Sequence, residues 1–333
     1  MTPALERVSS LDDVRDHLNR LAEESGNVFG TWEFLSTWWR HFGGGRPLWT
    51  FAVREAIVPL YLWRSRPLRV LRFVGHGAGD ELGPISAPAN RGAAGEALLR
   101  ALAERRGWDV LVGEQLPGAD GWPERSGARI LAREGSPMLR LDSVESWDGL
   151  MASWSPKLRR DLRSDERRLE REHGLVFRLA DDRERLDRDL DVLFRLHEAR
   201  WPDSEFARRQ AFHREFARAA HERGWLRLWF LDLEGAPAAV WYGFRFGAVD
   251  SHFQVGRDLG WRKFGTGTLL TGHTIRSALA DGQREYRFLR GGEDYKYRFA
   301  SEDPGLQTFG LPRNRLGGVA LAALAAWRSR KDR

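Results

Sequence analysis

Residues 249–280 read VDSHFQVGRDLGWRKFGTGTLLTGHTIRSALA, and the interpretation of the C-terminal half depends on this stretch. Residues 249–255 predict a strand, and residues 256–267 contain four glycines and predict a loop. Residues 268–280 predict a helix that ends at the following Asp-Gly pair. Loops in this position, between a strand and a helix, either bind a ligand or simply turn the chain.

The end of this loop has the composition of an anion site. Small residues at the start of a helix leave backbone N–H groups open, and the helix dipole favours a negative charge there. Two basic residues precede the small ones and add positive charge. On this hypothesis the phosphate-binding residues are Arg262, Lys263, Gly265, Thr266, Gly267 and Thr268.

This stretch belongs to a longer series of predicted strands, loop and helix. The same series occurs in the same order in the N-terminal half. Glu234-Gly235 predicts the turn of a hairpin between two apolar runs. Together the patterns indicate a pseudo-repeat. In the N-terminal half its segments are strands at 48–53, 57–63 and 68–74, a glycine-rich loop at 75–81, a helix at 92–105 and a strand at 108–112. In the C-terminal half they are strands at 225–233, 238–246 and 249–255, the loop and helix above, and a strand at 285–289.

Helices are predicted outside the repeats at 11–43, 155–173, 185–201 and 205–223. The second of these is strongly basic, but acidic residues interleave with the basic ones and supply partners one turn away. We therefore expect a solvated helix whose first turn, with Lys157 and Arg160, contacts a ligand phosphate.

Composition excludes several classes of protein. A chain of 333 residues predicts about two domains, and the absence of cysteine excludes disulfides, a thiolate nucleophile and cysteine-ligated metals. No stretch is long and apolar enough for a membrane span, and the start has no signal-peptide pattern, so we expect a cytoplasmic protein. The Ala-rich residues 316–327 predict a docking helix, with membrane contact as an alternative. The net charge of +6 suits an anionic ligand.

The motif Arg-x-x-Gly-x-Gly at residues 262–267 resembles the pyrophosphate loop of GNAT-type acyltransferases. Further stretches resemble the double-domain branch related to FemAB aminoacyltransferases and to the CelD-like proteins of polysaccharide gene clusters. These stretches are FGTWEFLSTWWRHF (29–42), LRFVGHGAGDEL (71–82), SPKLRRDLR (155–163), LHEARW (196–201), residues 212–224 and FLRGGEDYKYRF (288–299). They follow the family's order along nearly the whole chain.

The resemblance implies an α+β fold of two tandem GNAT-like domains, each a mixed sheet flanked by helices. The boundary is expected near residues 141–147. Residues 1–142 would form an acceptor-side domain without a CoA loop, and residues 143–333 would bind acyl-CoA. The tail, residues 304–333, would pack back on the first domain.

The resemblance also implies a direct transfer, in which an amine attacks the thioester of a bound acyl-CoA without a covalent enzyme intermediate and without a metal. Gln254 and Val255, on the strand before the loop, would lie along the pantetheine. The candidates for acid–base work are His197, Asp294, Tyr295, Lys296 and Asp80, and those for acceptor contact are Glu81, Lys157, Arg160, Arg200 and Trp201.

These candidates have structural alternatives. His197 lies on the apolar stripe of its helix and could be a core histidine. Residues 293–296 could be a solvated charged turn, although loops at strand ends often carry site residues. Glu81 is followed by leucine where an aromatic residue is common in the family, which weakens the acceptor assignment.

Three functions fit the sequence. The first is an acyl-CoA-dependent N-acyltransferase acting on a small amine or amino sugar, in envelope or polysaccharide biosynthesis. The second is a tRNA-dependent aminoacyltransferase of the FemAB kind, which would be the one nucleic-acid partner. The third is an inactive GNAT-like binding protein, since fold does not establish activity. No DNA-binding pattern is present.

Overall fold

The computed structural model describes residues 6–118 and 121–331 and divides the chain into two compact units. The first unit combines Met1–Gly135 with Pro304–Arg333, and the second is the continuous segment Ser136–Asp303. The extreme ends of the predicted domains, residues 1–5 and 332–333, lie outside the described residues.

Within the described residues the chain forms fourteen strands: β1 Glu6–Val8, β2 Thr50–Val53, β3 Ala56–Val58, β4 Leu60–Ser65, β5 Leu68–Phe73, β6 Val110–Pro117, β7 Arg129–Glu134, β8 Met138–Arg140, β9 Val176–Leu179, β10 Leu226–Leu233, β11 Ala236–Phe246, β12 Val249–Arg257, β13 Glu285–Arg287 and β14 Leu306–Pro312.

The same residues form twelve α-helices: α1 Arg15–Ser25, α2 Trp32–Trp38, α3 Arg91–Ala103, α4 Trp122–Arg125, α5 Trp147–Ser153, α6 Pro156–His173, α7 Leu186–Arg200, α8 Glu205–Arg208, α9 Gln210–Glu222, α10 Thr266–Ala280, α11 Asp294–Tyr297 and α12 Arg315–Lys331.

Local signals set the ends of the basic helix α6 as the sequence predicts. The Ser155 hydroxyl accepts a hydrogen bond from the Leu158 N–H at 3.2 Å and caps the first turn, with Pro156 at the first helical position. The helix ends at Gly174, whose φ of 59° is left-handed.

Three predicted elements are divided in the structure. The helix predicted at 11–43 is interrupted at Gly26, whose φ of 64° is left-handed and ends α1, and the chain resumes as α2 at Trp32. The strand predicted at 57–63 is interrupted by Pro59, which has no N–H for a sheet ladder, and becomes β3 and β4. These two strands belong to different sheets. The helix predicted at 205–223 becomes α8 and α9, because the backbone leaves helical geometry at Arg209 (φ −102°, ψ 24°).

The second unit is built on one six-stranded sheet with the order β8-β13-β12-β11-β10-β9. Strands β12 and β13 are parallel and are connected by α10, and every other neighbouring pair is antiparallel. The parallel pairing covers only Val249–Ser251 against Glu285–Arg287, so β12 continues to Arg257 beyond the end of its partner. This open stretch of β12 forms one side of the candidate site.

The first unit contains a corresponding arrangement. Strands β5 and β6 are parallel and are connected through α3, and β4 lies antiparallel beside β5. The five-stranded sheet has the order β4-β5-β6-β14-β7, and β1, β2 and β3 form a separate sheet. Each unit therefore contains an antiparallel strand followed by a parallel strand–helix–strand connection, in agreement with the pseudo-repeat.

The unit boundary differs from the predicted boundary at residues 142 and 143. Strand β8 pairs with β13, with Leu139 opposite Tyr286, and so belongs to the second unit. Strand β14 pairs with β6 and β7 and belongs to the first. Residues from Pro304 onward are thus part of the first unit's sheet and its covering helix, where Leu321 of α12 is buried.

The core of the second unit forms where α10 crosses the sheet. Ile275 on the helix and Trp241, Leu231 and Tyr286 on the strands are each at most 1% exposed. Close helix packing requires Gly272, since a Cβ there would lie 2.9 Å from the Leu162 side chain of α6. In the part of the chain that the structure describes, no helix combines the length and apolarity needed to cross a bilayer.

A partly buried ionisable ring packs beside this core. His273 on α10 stacks on Phe177 with ring centroids 3.8 Å apart and meets Trp229 edge-on. Its Nε2 is buried with no hydrogen-bond partner among the described residues. Burial, followed by the charge of Arg276, lowers the pKa of His273 to about 4. The folded state therefore favours the neutral ring.

We expect the second unit to lose stability as the pH falls from about 6.5 to 4, because the unfolded chain protonates His273 first. The His273→Phe variant should keep the ring stack and avoid this fall in the free energy of unfolding. The fall is about 1 to 3 kcal/mol, and it is smaller to the extent that solvent screens the charge. Urea unfolding at pH 7.5 and 4.5 measures it, with His41→Phe at an exposed histidine as the control. Equal acid losses in the wild type and His273→Phe would contradict the assignment.

Candidate functional site

The candidate site forms where helix α7 packs closely against strand β12. The register between β11 and β12 shifts after Tyr242, which pairs with Gln254, whereas Gly243 pairs with His252. Phe253 is the extra residue of this bulge. Three residues later, a Cβ on Gly256 would lie 2.6 Å from the His197 backbone nitrogen, so only glycine allows this approach.

His197 joins the helix to the strand. Its Nδ1 lies 3.0 Å from the Val255 carbonyl oxygen and its Nε2 lies 2.9 Å from the Ser204 hydroxyl. Because a carbonyl only accepts, Nδ1 carries the proton and Nε2 accepts from Ser204. The ring is buried, and burial lowers the pKa of His197. Both nitrogens are thus used within the protein, which fits a positioning role better than proton exchange with a ligand.

A first cavity of about 120 Å³ lies between the end of β12 and the start of α10. Its apolar lining residues include Val240, Leu270 and Trp241. The complete lining is Arg200, Trp201, Val240, Trp241, Val255, Gly256, Arg257, Gly267, Thr268, Leu270, Thr271 and Tyr295. The structure therefore brings together Val255, Gly267 and Thr268 from the predicted donor set with Arg200, Trp201 and Tyr295 from the other sets.

One end of the first cavity is the N-terminus of α10. Gly265 precedes the helix with a left-handed φ of 63°, and no side chain caps the first turn. The first backbone N–H groups of a helix have no partner within it, so the N–H groups of Gly267 and Thr268 are open to the cavity. Thr266 is fully buried, and its hydroxyl has no hydrogen-bond partner within the described part of the chain. This end has the geometry of an anion site.

Arginines add positive charge around the first cavity. Arg257 and Arg200 line the cavity, and burial, followed by the charges of Arg200 and Arg262, lowers the pKa of Arg257. The Arg257 Nε has no hydrogen-bond partner among the described residues. Arg262 and Lys263 themselves are exposed in the 3-10 segment before Gly265.

A carboxylate faces the other side of this loop. Asp165 of α6 places its Oδ2 3.3 Å from the position of a Cβ on Gly265. Burial, followed by the nearby Asp161, raises the pKa of Asp165. A bound anion would accordingly lie on the cavity side of the helix start, at Gly267 and Thr268, and away from Gly265.

A second cavity of about 280 Å³ adjoins the first and shares Trp201, Val255 and Tyr295 with it. It combines aromatic side chains with charged ones of both signs. The remaining lining residues are His197, Ser204, Glu205, Phe206, His252, Phe253, Gln254, Arg290, Glu293 and Lys296. Gln254, predicted to lie along the donor, is thus at the second cavity.

Tyr295 lies where the two cavities meet. Its hydroxyl is 3.3 Å from Nε2 of the buried His252, and burial, followed by the charge of Glu293, raises the pKa of the phenol. The phenol is therefore protonated throughout the neutral range and is a proton donor.

Lys296 and Asp294 are the chain neighbours of Tyr295, but neither of them lines both cavities as Tyr295 does. The Lys296 ammonium is buried, donates to the carbonyl oxygens of Arg290 (2.6 Å) and Gly291 (3.3 Å) and pairs with Glu293 (2.9 Å). It fixes the loop before α11. Asp294 is exposed at the first position of α11 and lines neither cavity.

The remaining predicted residues are not brought to these cavities. Lys157 and Arg160 are exposed on the first turns of α6 and line neither of them. Asp80 and Glu81 belong to the first unit, in the loop between β5 and α3, where the Glu81 carbonyl accepts from the Asn27 amide at 2.8 Å.

Arg257 and His252 are among the site residues that were not identified from the sequence. Arg257 is the last residue of strand β12, and no motif or repeat marks its position. His252 is buried on the same strand between Ser251 and Phe253, and its partners lie 11, 34 and 43 residues away along the chain. The described residues contain no cluster of carboxylate and imidazole groups able to hold a metal ion.

Comparisons with known proteins agree with this architecture. Residues 156–297 match the family model of the acetyltransferase (GNAT) domain. This range includes β12 and α10. The crystal structure of FemX superposes with a TM-score of 0.66 at 12% identity, covering 92% of this chain and 97% of that one. L-PGS from Bacillus licheniformis gives a TM-score of 0.58 at 15% identity, covering 93% and 96%.

At these identities the structural likenesses show a shared fold along nearly the whole chain. No curated protein matches the sequence. The predicted fold, two GNAT-like halves each with a mixed sheet and helices, is confirmed, and the predicted GNAT resemblance is confirmed for residues 156–297.

The close contact between α7 and β12 predicts that a methyl group added at position 256 lowers the stability of the second unit. Gly256→Ala should destabilise the second unit by about 1 to 3 kcal/mol, because the added Cβ overlaps the backbone of α7. Gly267→Ala is the matched control, since a Cβ there meets nothing within 4 Å. Urea unfolding of the two variants measures the difference, and equal stabilities would refute the packing argument.

Proposed function

We propose that this chain, whose residues 156–297 match the GNAT acetyltransferase domain, transfers an acyl group from acyl-CoA to the amine of a small molecule or amino sugar. One observation supports this above the others. The uncapped N-terminus of α10 and Tyr295 line the same first cavity, so an anion site and a proton donor border one space.

A thioester of CoA fits the chemistry of this cavity. Its diphosphate would accept hydrogen bonds from the N–H groups at Gly267 and Thr268, with Arg257 and Arg200 as counter-charges. Its pantetheine would lie along β12 beyond Ser251, where that strand has no β13 residue beside it. The thioester sulfur would then approach Tyr295.

The transfer follows from these positions. The acceptor nitrogen, bound in the second cavity, attacks the thioester carbonyl carbon and forms the N–C bond. The C–S bond breaks, and Tyr295 donates its phenolic proton to the departing sulfur. The proton lost by the nitrogen passes to a carboxylate of the second cavity, Glu205 or Glu293, and from there to solvent. Backbone N–H groups of β12 near Val255 stabilise the oxyanion.

A tRNA-dependent aminoacyl transfer is the second candidate. The likeness to FemX favours it as a fold-level analogy, and the open helix start with its arginines would also bind the phosphates near a tRNA terminus. The first cavity is small and partly enclosed by Trp201 and Leu270, which favours the thin pantetheine arm of CoA.

The anion site predicts a charge effect at Gly267. Gly267→Asp should fold, since its Cβ meets nothing within 4 Å and an acid is favourable at a helix start. The carboxylate would repel the diphosphate, so the dissociation constant of acetyl-CoA should rise at least about tenfold. Gly267→Asn, of equal size and no charge, is the matched control.

Thermal stabilisation by acetyl-CoA, longer acyl-CoAs and free CoA measures this binding, because a ligand raises stability by RT ln(1 + [L]/Kd). Equal binding by the aspartate and asparagine variants would overturn the site assignment. Stabilisation by tRNA at raised salt, with none by any acyl-CoA, would replace the first proposal with the second.

The proton-donor role predicts a loss in turnover. Tyr295→Phe should lower kcat about a hundredfold and leave the KM for acyl-CoA within about threefold, because the hydroxyl acts on the leaving sulfur in the transition state. Tyr297→Phe is the matched control on the same helix, since that phenol is exposed and donates to Asp303 at 2.6 Å. Release of free thiol from acetyl-CoA in the presence of amine measures both, and an unchanged kcat in Tyr295→Phe would exclude the role.

A further inference from the structure

A buried polar network lies directly behind Tyr295 in the second unit. Its central residue is His252, which is 2% exposed, and its other members are Trp241, Tyr286 and Thr274, each at most 1% exposed. Buried polar groups retain a fixed pattern of donors and acceptors, because any unmade hydrogen bond costs free energy. The direction of each hydrogen bond can therefore be derived from the chemistry of the groups.

The tautomer of His252 follows from Trp241. An indole N–H only donates, and the Trp241 Nε1 lies 2.7 Å from the His252 Nδ1. Nδ1 must then be the acceptor, and in the neutral ring the proton is on Nε2. Burial, followed by the charge of Lys296, holds the pKa of His252 well below its usual range, so the ring is neutral.

Tyr286 does not compete for this nitrogen. The Thr274 hydroxyl donates its one proton to the Thr271 carbonyl at 2.9 Å, so the Tyr286 hydroxyl donates to Thr274 at 2.7 Å. The Tyr286 proton is thereby used, although its oxygen is only 3.3 Å from the His252 Nδ1. Trp241 remains the donor that determines the tautomer.

The consequence appears at Tyr295. The His252 Nε2–H points to the Tyr295 oxygen at 3.3 Å, so the phenol accepts from the histidine. Its own proton must then be directed elsewhere, and Tyr295 lines both cavities. A histidine in the other tautomer would instead accept the phenolic proton and turn it away from them.

We propose that His252 is a positioning residue for Tyr295: Trp241 fixes it as the Nε2–H tautomer, and it thereby directs the phenolic proton into the cavities where the leaving sulfur lies. The inference rests on the proposed acyl transfer. In the step, the phenol O–H bond breaks as the S–H bond forms, and the phenolate oxygen keeps the hydrogen bond from Nε2–H. No proton leaves His252, and solvent returns the proton to Tyr295 after product release.

Two substitutions at His252 test this. His252→Gln can still accept from Trp241 through its oxygen and donate to Tyr295 through its nitrogen, so kcat should stay within about threefold of the wild type. His252→Leu fills the site with an apolar side chain that has no donor, and kcat should fall about tenfold or more, with the KM for acyl-CoA within about twofold. Stabilisation by acetyl-CoA verifies that each variant is folded.

A double-mutant cycle with Tyr295→Phe separates positioning from general damage. If His252 acts through Tyr295, adding His252→Leu to Tyr295→Phe should lower kcat by less than about twofold further. Losses that multiply in the double variant, or a glutamine variant as slow as the leucine one, would overturn the inference. If the wild type transfers no acyl group and binds no acyl-CoA, the proposed function itself fails. If the wild type is active and the His252 variants are as active, only the inference about His252 fails.

Discussion

The candidate site depends on the close contact between helix α7 and strand β12 at Gly256. Because no side chain separates them there, the His197 ring reaches the Val255 carbonyl, and the strand is held where it runs on beyond β13. The open edge of β12, the start of α10 and the loop before α11 then enclose two adjoining cavities. A residue with a side chain at position 256 would move the helix and both cavities together.

Charge is distributed unequally around these cavities. The helix start and the arginines at positions 200 and 257 border the first cavity with positive charge, while the aspartate at 165 faces the loop from the opposite side. Tyr295 belongs to a buried network of neutral hydrogen-bonding groups that includes His252, and the Lys296–Glu293 ion pair lies beside it. A single ligand with an anionic end and a reactive, uncharged end matches this distribution.

Much of the second unit could be predicted from the sequence, because its signals are local. The Glu234-Gly235 turn, the glycines before α10 and the Ser155 cap each fix an element within a few residues of its position. The short strands β8, β9 and β14 were not predicted, since their pairing partners lie far along the chain and strand formation depends on such partners. His252 was missed for the same reason, as its role comes from residues that only the fold brings together.

The strand β14 has a consequence for how the chain is made. The second unit is continuous from Ser136 to Asp303, whereas the first unit's sheet needs Leu306–Pro312 between β6 and β7. During synthesis, therefore, β6 and β7 lack β14, the strand that pairs with both of them, until the whole second unit has left the ribosome. The inserted unit can complete its own core first, and the N-terminal segment, although made earlier, is the later one to close.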